Sequence, residues 1–331
     1  MTQGNFIRRR SVFWDDFEKT LRGSAKERRK QAASFPRKYR ELTQDLNTAR
    51  SHGFDPALIE RLNLLVLEGN QLLYGQRDFS WKEPADFVLR VFPRVARSQW
   101  RGIGASLLLF YGIALFALIL TVRFPGLIYE FVAEERLEDI EYMYDPDNSR
   151  FLTPRGVETD ADMFGFYIYN NVSIAFSAFA SGIILGVGSL FILSFNGAFL
   201  GLITGHIINK GYGQTFFPFV IGHSSFELTA LVLSAYGGLL LGYRFFITQG
   251  LSRAASLRKA GRTAIPLIAG AALLLLLAAV IEAFWSSKNE FPPTLRYTAG
   301  IGGWFLLGAY FLFSGRRGEK DAEYESRRPA P

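Results

Sequence analysis

Two hydropathy regimes divide the chain. Residues 1–101 mix apolar and charged positions at helical spacing, whereas the remainder is dominated by long uncharged runs at 103–122, 166–193, 197–208, 216–243, 264–285 and 297–314. A bilayer core of about 30 Å needs about 20 helical residues at about 1.5 Å rise each. The runs therefore predict membrane-crossing helices. The third run is too short for an ordinary span and is expected to be completed by the polar stretch NKGYGQ, which is tolerable at that depth only inside protein or beside water. The expected fold is all-α, a polytopic helical membrane protein with about six spans, the third short or broken, and an N-terminal helical region.

In the N-terminal region the stretch DPALIERLNLLVLEGNQLLYG has Asp55 placed to cap a helix, Pro56 at its first position and Gly75 as a stop. Leu58, Leu62, Leu65, Leu72 and Leu73 recur at helical spacing, and a second helix opens at Pro36 and closes at Gly53. These predict a small hairpin or bundle. Residues 83–101 differ: Phe87, Val88, Val91, Phe92 and Val95 alternate with Arg90, Arg94, Arg97 and Arg101, the pattern of a helix lying on a membrane surface. The expected division is 1–101 for a cytoplasmic helical domain with its interfacial helix at 83–101, 102–315 for the transmembrane bundle, and 316–331 for a charged, disordered tail.

Charge sets the expected orientation. Residues 1–101 hold 20 Lys/Arg against 12 Asp/Glu, and the loop 244–263 has five basic residues and no acidic one. The loop 123–163 has 11 acidic residues against four basic. Positive loops stay in the cytoplasm, so both termini are expected inside and 123–163 outside, in the cytoplasmic (inner) membrane of a bacterium. An odd number of crossings must then separate 163 from 244, so the third run crosses. The first hundred residues lack a signal-peptide core. Cysteine is absent, which removes disulfides and thiolate metal sites. The basic N-terminal region follows from the positive-inside bias and anionic lipid rather than from nucleic acid, which is not an expected partner.

Glycines recur every four residues at Gly197, Gly201 and Gly205, at Gly182 and Gly186, and at Gly238 and Gly242. This spacing stacks small residues on one helix face, where backbones approach closely within a chain or between copies, so a homo-oligomer is compatible with it. Within the fourth run, GHSSFEL places His223 and Glu227 on the stripe of Ala230, Ser234 and Gly238, and hence toward the bundle. Counting rise per residue puts His223, Glu227, Glu282, His206, Asn170 and Asn171 at one level, in the outer half of the membrane. Ionisable groups at such depth face a partner or a cavity. Three readings stand open: a His–Glu contact locking two helices, a pocket for lipid or a divalent metal, and a catalytic site. His206, His223, Glu227 and Glu282 offer the mixed nitrogen and oxygen ligands of a zinc-like ion. Ser224 and Ser225, beside His223, are the candidate nucleophiles, yet HExxH, GxSxG, Walker A and CxxC are all missing. In the acidic loop, Leu127, Ile128, Phe131, Val132, Leu137 and Ile140 predict an amphipathic helix that lids this level.

The stretches FPRKYRELTQDLNTAR, LNLLVLEGNQLLYG, YIYNNVSIAFSAFASGIILGVGSLFILSFNGAFLG, GHSSFELTALVLSAYGGLLLG and VIEAFW together resemble the stage II sporulation protein M family, over nearly the whole chain. The resemblance implies that recurrent polar positions fall on Asn170, Asn171, Asn196, Gly197, His223, Glu227 and Glu282. It also implies a membrane scaffold for cell-wall-degrading proteins, with relatives encoded near MoxR-type ATPases and von Willebrand-like proteins. The expected function is an integral membrane scaffold or assembly factor for cell-envelope proteins, contacting membrane lipid and docking a cytoplasmic or envelope partner through its N-terminal helices. The alternatives are a metal-dependent or intramembrane hydrolase using the His/Glu pocket, and a lipid or small-solute binding or transport protein.

Overall fold

The computed structural model describes residues 2–24, 27, 31–74, 81–148, 157–288 and 291–316. It is helical throughout, with no strand among the described residues. The chain forms two compact units, residues 1–82 and 83–331. The expected stop at Gly75 and the tail 317–331 lie outside the described residues.

The first unit holds α1 (Gln3–Arg22), α2 (Phe35–Ser51) and α3 (Pro56–Tyr74). Asp55 caps α3, its carboxylate accepting from the Ala57 N–H at 2.7 Å. Trp14, Phe17, Leu42 and Leu62 are fully buried and form the core with Phe6, Phe35 and Leu46. One charge is buried with them: Asp45 accepts from the Trp14 indole N–H and from Arg10 Nε, both at 2.8 Å. At the surface of the unit, the Asp15 carboxylate beside Arg61, at 2.7 Å, holds that guanidinium above its ordinary value.

The second unit begins with a strap: α4 (Lys82–Asp86), a π-helical turn at Phe87–Val91, and α5 (Phe92–Ser98). Its arginines do not simply alternate with lipid-facing residues. Phe92 is buried, and its ring sits over Gly270 so closely that a Cβ there would lie 2.2 Å away. Arg97 Nη1 donates to the Phe311 carbonyl at 2.6 Å, while Arg90, Arg94 and Arg101 remain exposed. The strap is thus tied into the bundle by an aromatic plug, a charged hydrogen bond and the hydroxyls of Tyr310 and Ser314, which donate to the Val88 and Leu89 carbonyls.

The bundle follows: α6 (Trp100–Arg123), a 3-10 turn at Pro125–Glu130, α7 (Glu134–Tyr144), α8 (Val157–Ala180), α9 (Val187–Lys210), α10 (Gly213–Phe246), α11 (Arg253–Ile281) continuing as a π segment at Glu282–Ser286, and α12 (Pro293–Phe313). Four of these helices, α6, α9, α10 and α11 with its π segment, are long and apolar enough to cross a membrane. α10 is central and packs against α6, α8, α9, α11 and α12. Outward-facing apolar side chains such as Leu108, Phe116, Phe191 and Phe305 are each more than 60% exposed, a surface that suits lipid and not water.

The third run is where the expectation fails. The apolar stretch 166–193 is not one helix: α8 stops at Ala180, a 3-10 turn follows at Ser181–Ile183, and Gly186 turns the chain with φ of 78° before α9 starts. Hydropathy hides this turn because Ile183, Ile184 and Leu185 are themselves apolar and exposed. The helix that carries the third run, α9, is therefore neither short nor broken but 24 residues long. NKGYGQ is divided: Asn209 and Lys210 finish α9, and Gly211, with φ of 81°, reverses the chain. The Tyr212 N–H then bonds the Ile207 carbonyl and the Gly211 N–H that of Ile208, each at 3.0 Å, closing a Schellman motif.

The glycines sit at the closest approaches. A Cβ on Gly197, Gly201 or Gly205 would meet the Phe110 carbonyl at 2.7 Å, the Ala114 carbonyl at 2.1 Å and Thr121 Cβ at 2.8 Å, so this face of α9 lies directly on α6. The turn after α8 presses on α10 in the same manner: a Cβ on Gly182 would lie 2.3 Å from Gly238, and one on Gly242 would lie 2.2 Å from the Gly186 nitrogen.

Candidate functional site

A cavity of about 290 Å³ opens among α8, α9, α10 and α11, at the end of the bundle where α7 packs. Its walls are aromatic and aliphatic, including Tyr144, Phe166, Tyr167 and Phe219, with a polar sector made of Asn170, Asn171, Asn196, Ser224, His223, Glu227 and Glu282. No lysine or arginine lines it among the described residues.

His223 and Glu227 project from one face of α10 because they are four residues apart. Glu282 arrives from the start of the π segment that ends α11, a local widening often found at functional positions. His223 Nε2 lies 3.7 Å from a Glu227 oxygen and 3.9 Å from a Glu282 oxygen. Those separations are too long for hydrogen bonds. The other ring nitrogen, Nδ1, is 3.2 Å from Ser286 Oγ. Gly222 makes that approach feasible, since a Cβ there would meet Ser286 Oγ and the Trp285 ring at 2.7 Å each. The Phe219 ring stands edge-on to the imidazole at 5.4 Å.

Asn170 and Asn171 enter from α8 and bond each other at 3.0 Å. Asn196, from α9, donates back to the Ile192 carbonyl at 2.8 Å. Ser224 lines the cavity, but its hydroxyl is turned to the Ile221 carbonyl at 3.4 Å and away from any base. Ser225 is fully buried against Gly303, and no partner for its hydroxyl is found among the described residues.

His206 does not join this group. It points to the other side of α9, where Nε2 lies 2.7 Å from Glu141 of α7 and the Tyr129 ring stands edge-on at 6.1 Å. Glu141 also receives Lys210 Nζ at 2.9 Å. Burial pushes the Glu141 carboxyl up, but the hydrogen bonds from Lys210 and His206 outweigh it and hold the carboxyl below its ordinary value. This clasp, with Ile128, Val132 and Leu137 buried against α9 and α10, seats the acidic segment on the bundle. Phe131 is not part of the packed face and stays exposed. Tyr144, at the end of α7, reaches the cavity and packs edge-on to Phe216 at 4.9 Å, while its carbonyl accepts from the Thr215 hydroxyl. The three residues whose donor atoms come together are His223, Glu227 and Glu282, and His206 is not among them; its Nε2 meets Glu141 instead. Ser286, which sequence reasoning missed, could have been noticed from its four-residue spacing after Glu282.

These features define a polytopic helical membrane protein with a polar site sunk among its spanning helices. The family model for Stage II sporulation protein M matches residues 105–287, and the chain belongs to that family. Residues 4–75 match a separate model, a domain of unknown function (DUF8413), so the two matches fall on the two compact units. No curated protein and no solved structure matches the chain.

Proposed function

We propose that the chain is an integral membrane scaffold for cell-envelope proteins whose membrane unit carries a ligand-binding pocket. The observation that supports this most is the convergence of His223, Glu227 and Glu282 on one cavity that no lysine or arginine lines among the described residues. A charge at bilayer depth costs about 2.5–3.5 kcal/mol even on the mildest scale. Packing alone does not require it, because a buried ion pair can be replaced by apolar residues at little cost. The N-terminal unit, a separate helical body, is the surface offered to a cytoplasmic partner. A hydrolase is the weaker reading: the Ser224 hydroxyl faces a backbone carbonyl, and Ser286, although beside His223, is buried and outside the cavity wall. Chromosomal replacement by Glu227→Leu or Asn171→Phe, which removes the charge or fills the space, is expected to leave the protein at normal level in the membrane while reproducing the deletion phenotype. Wild-type behaviour of both strains would overturn the proposal.

We place both termini in the bacterial cytoplasm, with α7 and the cavity toward the outer face. The loop charges support this orientation. Because the chain lacks cysteine, single substitutions report cleanly. Glu138→Cys on α7 and Lys259→Cys on α11 are both at exposed positions. In intact spheroplasts an impermeant maleimide is expected to label the first and to label the second only after lysis. The reverse pattern would refute the orientation.

A further inference from the structure

We propose that His223, Glu227 and Glu282 bind a single divalent transition-metal cation of the zinc class, an inference that rests on the ligand-pocket reading above and names its ligand. The three side chains offer one donor atom each, all within 4.8 Å of one another. In a tetrahedral site with metal–ligand bonds of about 2.0–2.1 Å, donor atoms stand about 3.4 Å apart. The observed separations of 3.7 and 3.9 Å from His223 Nε2 exceed that by about 0.3 and 0.5 Å, within the reach of small side-chain rotations.

Three further features point to a cation between them. Glu282 is 8% exposed, and its Oε2 is buried with no hydrogen-bond partner among the described residues. A buried carboxylate oxygen left unpaired is costly unless a cation meets it. Second, His223 Nδ1 lies 3.2 Å from Ser286 Oγ, a contact in which the ring can be the donor, and in that tautomer the Nε2 lone pair faces the two carboxylates. With nothing between them this arrangement repels. With a metal ion between them it is the usual one, in which a hydrogen bond from the far nitrogen fixes the ligand ring. Third, when ionised the two carboxylates carry two negative charges, and no lysine or arginine lines the cavity among the described residues. A divalent ion brings the site to neutrality in a setting where net charge is penalised; a monovalent one does not.

The donor set selects among divalent ions. One imidazole nitrogen with two carboxylates suits zinc and its neighbours. Calcium takes six to eight oxygens, and magnesium keeps several waters in an octahedron. The cavity beyond the three ligands is lined by Asn170, Asn171 and Ser224, leaving polar room for a fourth ligand.

The test uses the full-length protein, purified in mild detergent on an affinity tag without histidines. It is stripped with EDTA, reloaded with Zn2+ and dialysed, and its metal is measured by mass spectrometry. About one zinc per chain is expected. His223→Ala and Glu282→Gln should each retain at least tenfold less, and Ser286→Ala should bind about tenfold more weakly. His206→Ala should retain the full amount, because that ring pairs with Glu141. Reloading the wild type with Co2+ gives a reading that depends on no variant folding. An intensified visible band, displaced by Zn2+, is expected for a four-coordinate site. Wild-type protein that retains no more metal than His223→Ala, or that gives only the spectrum of hydrated cobalt, would overturn the metal site. The pocket itself would still be judged separately by the Glu227→Leu and Asn171→Phe strains.

Discussion

Replacing Gly201 with leucine is expected to destabilise the membrane unit by about 3 kcal/mol, at the upper end of overpacking costs. Gly201 is the middle glycine of the α9 face that lies on α6. Any Cβ there would lie 2.1 Å from the Ala114 carbonyl oxygen and 2.9 Å from Ala117 Cβ. The first of these atoms is backbone, so no side-chain rotation relieves the clash and the two helices must separate. Separation also unseats Gly197 from Phe110 and Gly205 from Thr121, because the three contacts share one rigid face. In detergent the thermal midpoint should fall by roughly 6–12 °C, taking about 2–4 °C per kcal/mol for a unit of this size. Gly302→Ala is the matched control, since a Cβ there meets nothing within 4 Å. An unchanged midpoint for Gly201→Leu would show that α6 and α9 do not pack as described.

Asp45→Ala should have the largest effect in the N-terminal unit. One Asp45 oxygen accepts from both the Trp14 indole and Arg10 Nε. Trp14 is wholly buried, so alanine at position 45 strands its N–H in the core and leaves Arg10 with a longer ion-pair contact, 3.8 Å to Glu41, and its place over the Phe13 ring. Hydrogen bonds to a charged group and the stranding of a buried donor together suggest about 2–3 kcal/mol. That is a large fraction of the stability of a domain of this size. Hydrogen exchange on the full-length protein provides the measurement. Protection in α1 and α2 should fall by roughly 30- to 150-fold, the equivalent of that energy. Peptides from α6 to α12 should not change. Asp45→Asn keeps an acceptor for Trp14 while removing the charge that Arg10 meets, so its effect should be smaller. Equal protection in Asp45→Ala and the wild type would refute this account.

Sequence by itself determined the helical class, the α3 cap at Asp55 and the shared face of His223 and Glu227. Each is local: lipid forces backbone hydrogen bonds into helices, a cap needs one carboxylate beside one N–H, and four-residue spacing fixes a face. It did not determine where α8 ends. The turn at Ser181–Gly186 is as apolar as the helices it joins, so only packing of Gly182 and Gly186 against Gly238 and Gly242 reveals it. Nor could it place His206. Counting residues gives height along a helix, one coordinate of three, and His206, assigned by that count to the level of the cavity residues, meets Glu141 and does not line the cavity. The tertiary structure decided that its ring would meet Glu141, some 65 positions away in sequence, and that Ser286 would stand against His223 across 63. Both outcomes depend on how helices rotate and lean when their glycine faces come together, a choice made by close packing and invisible to hydropathy.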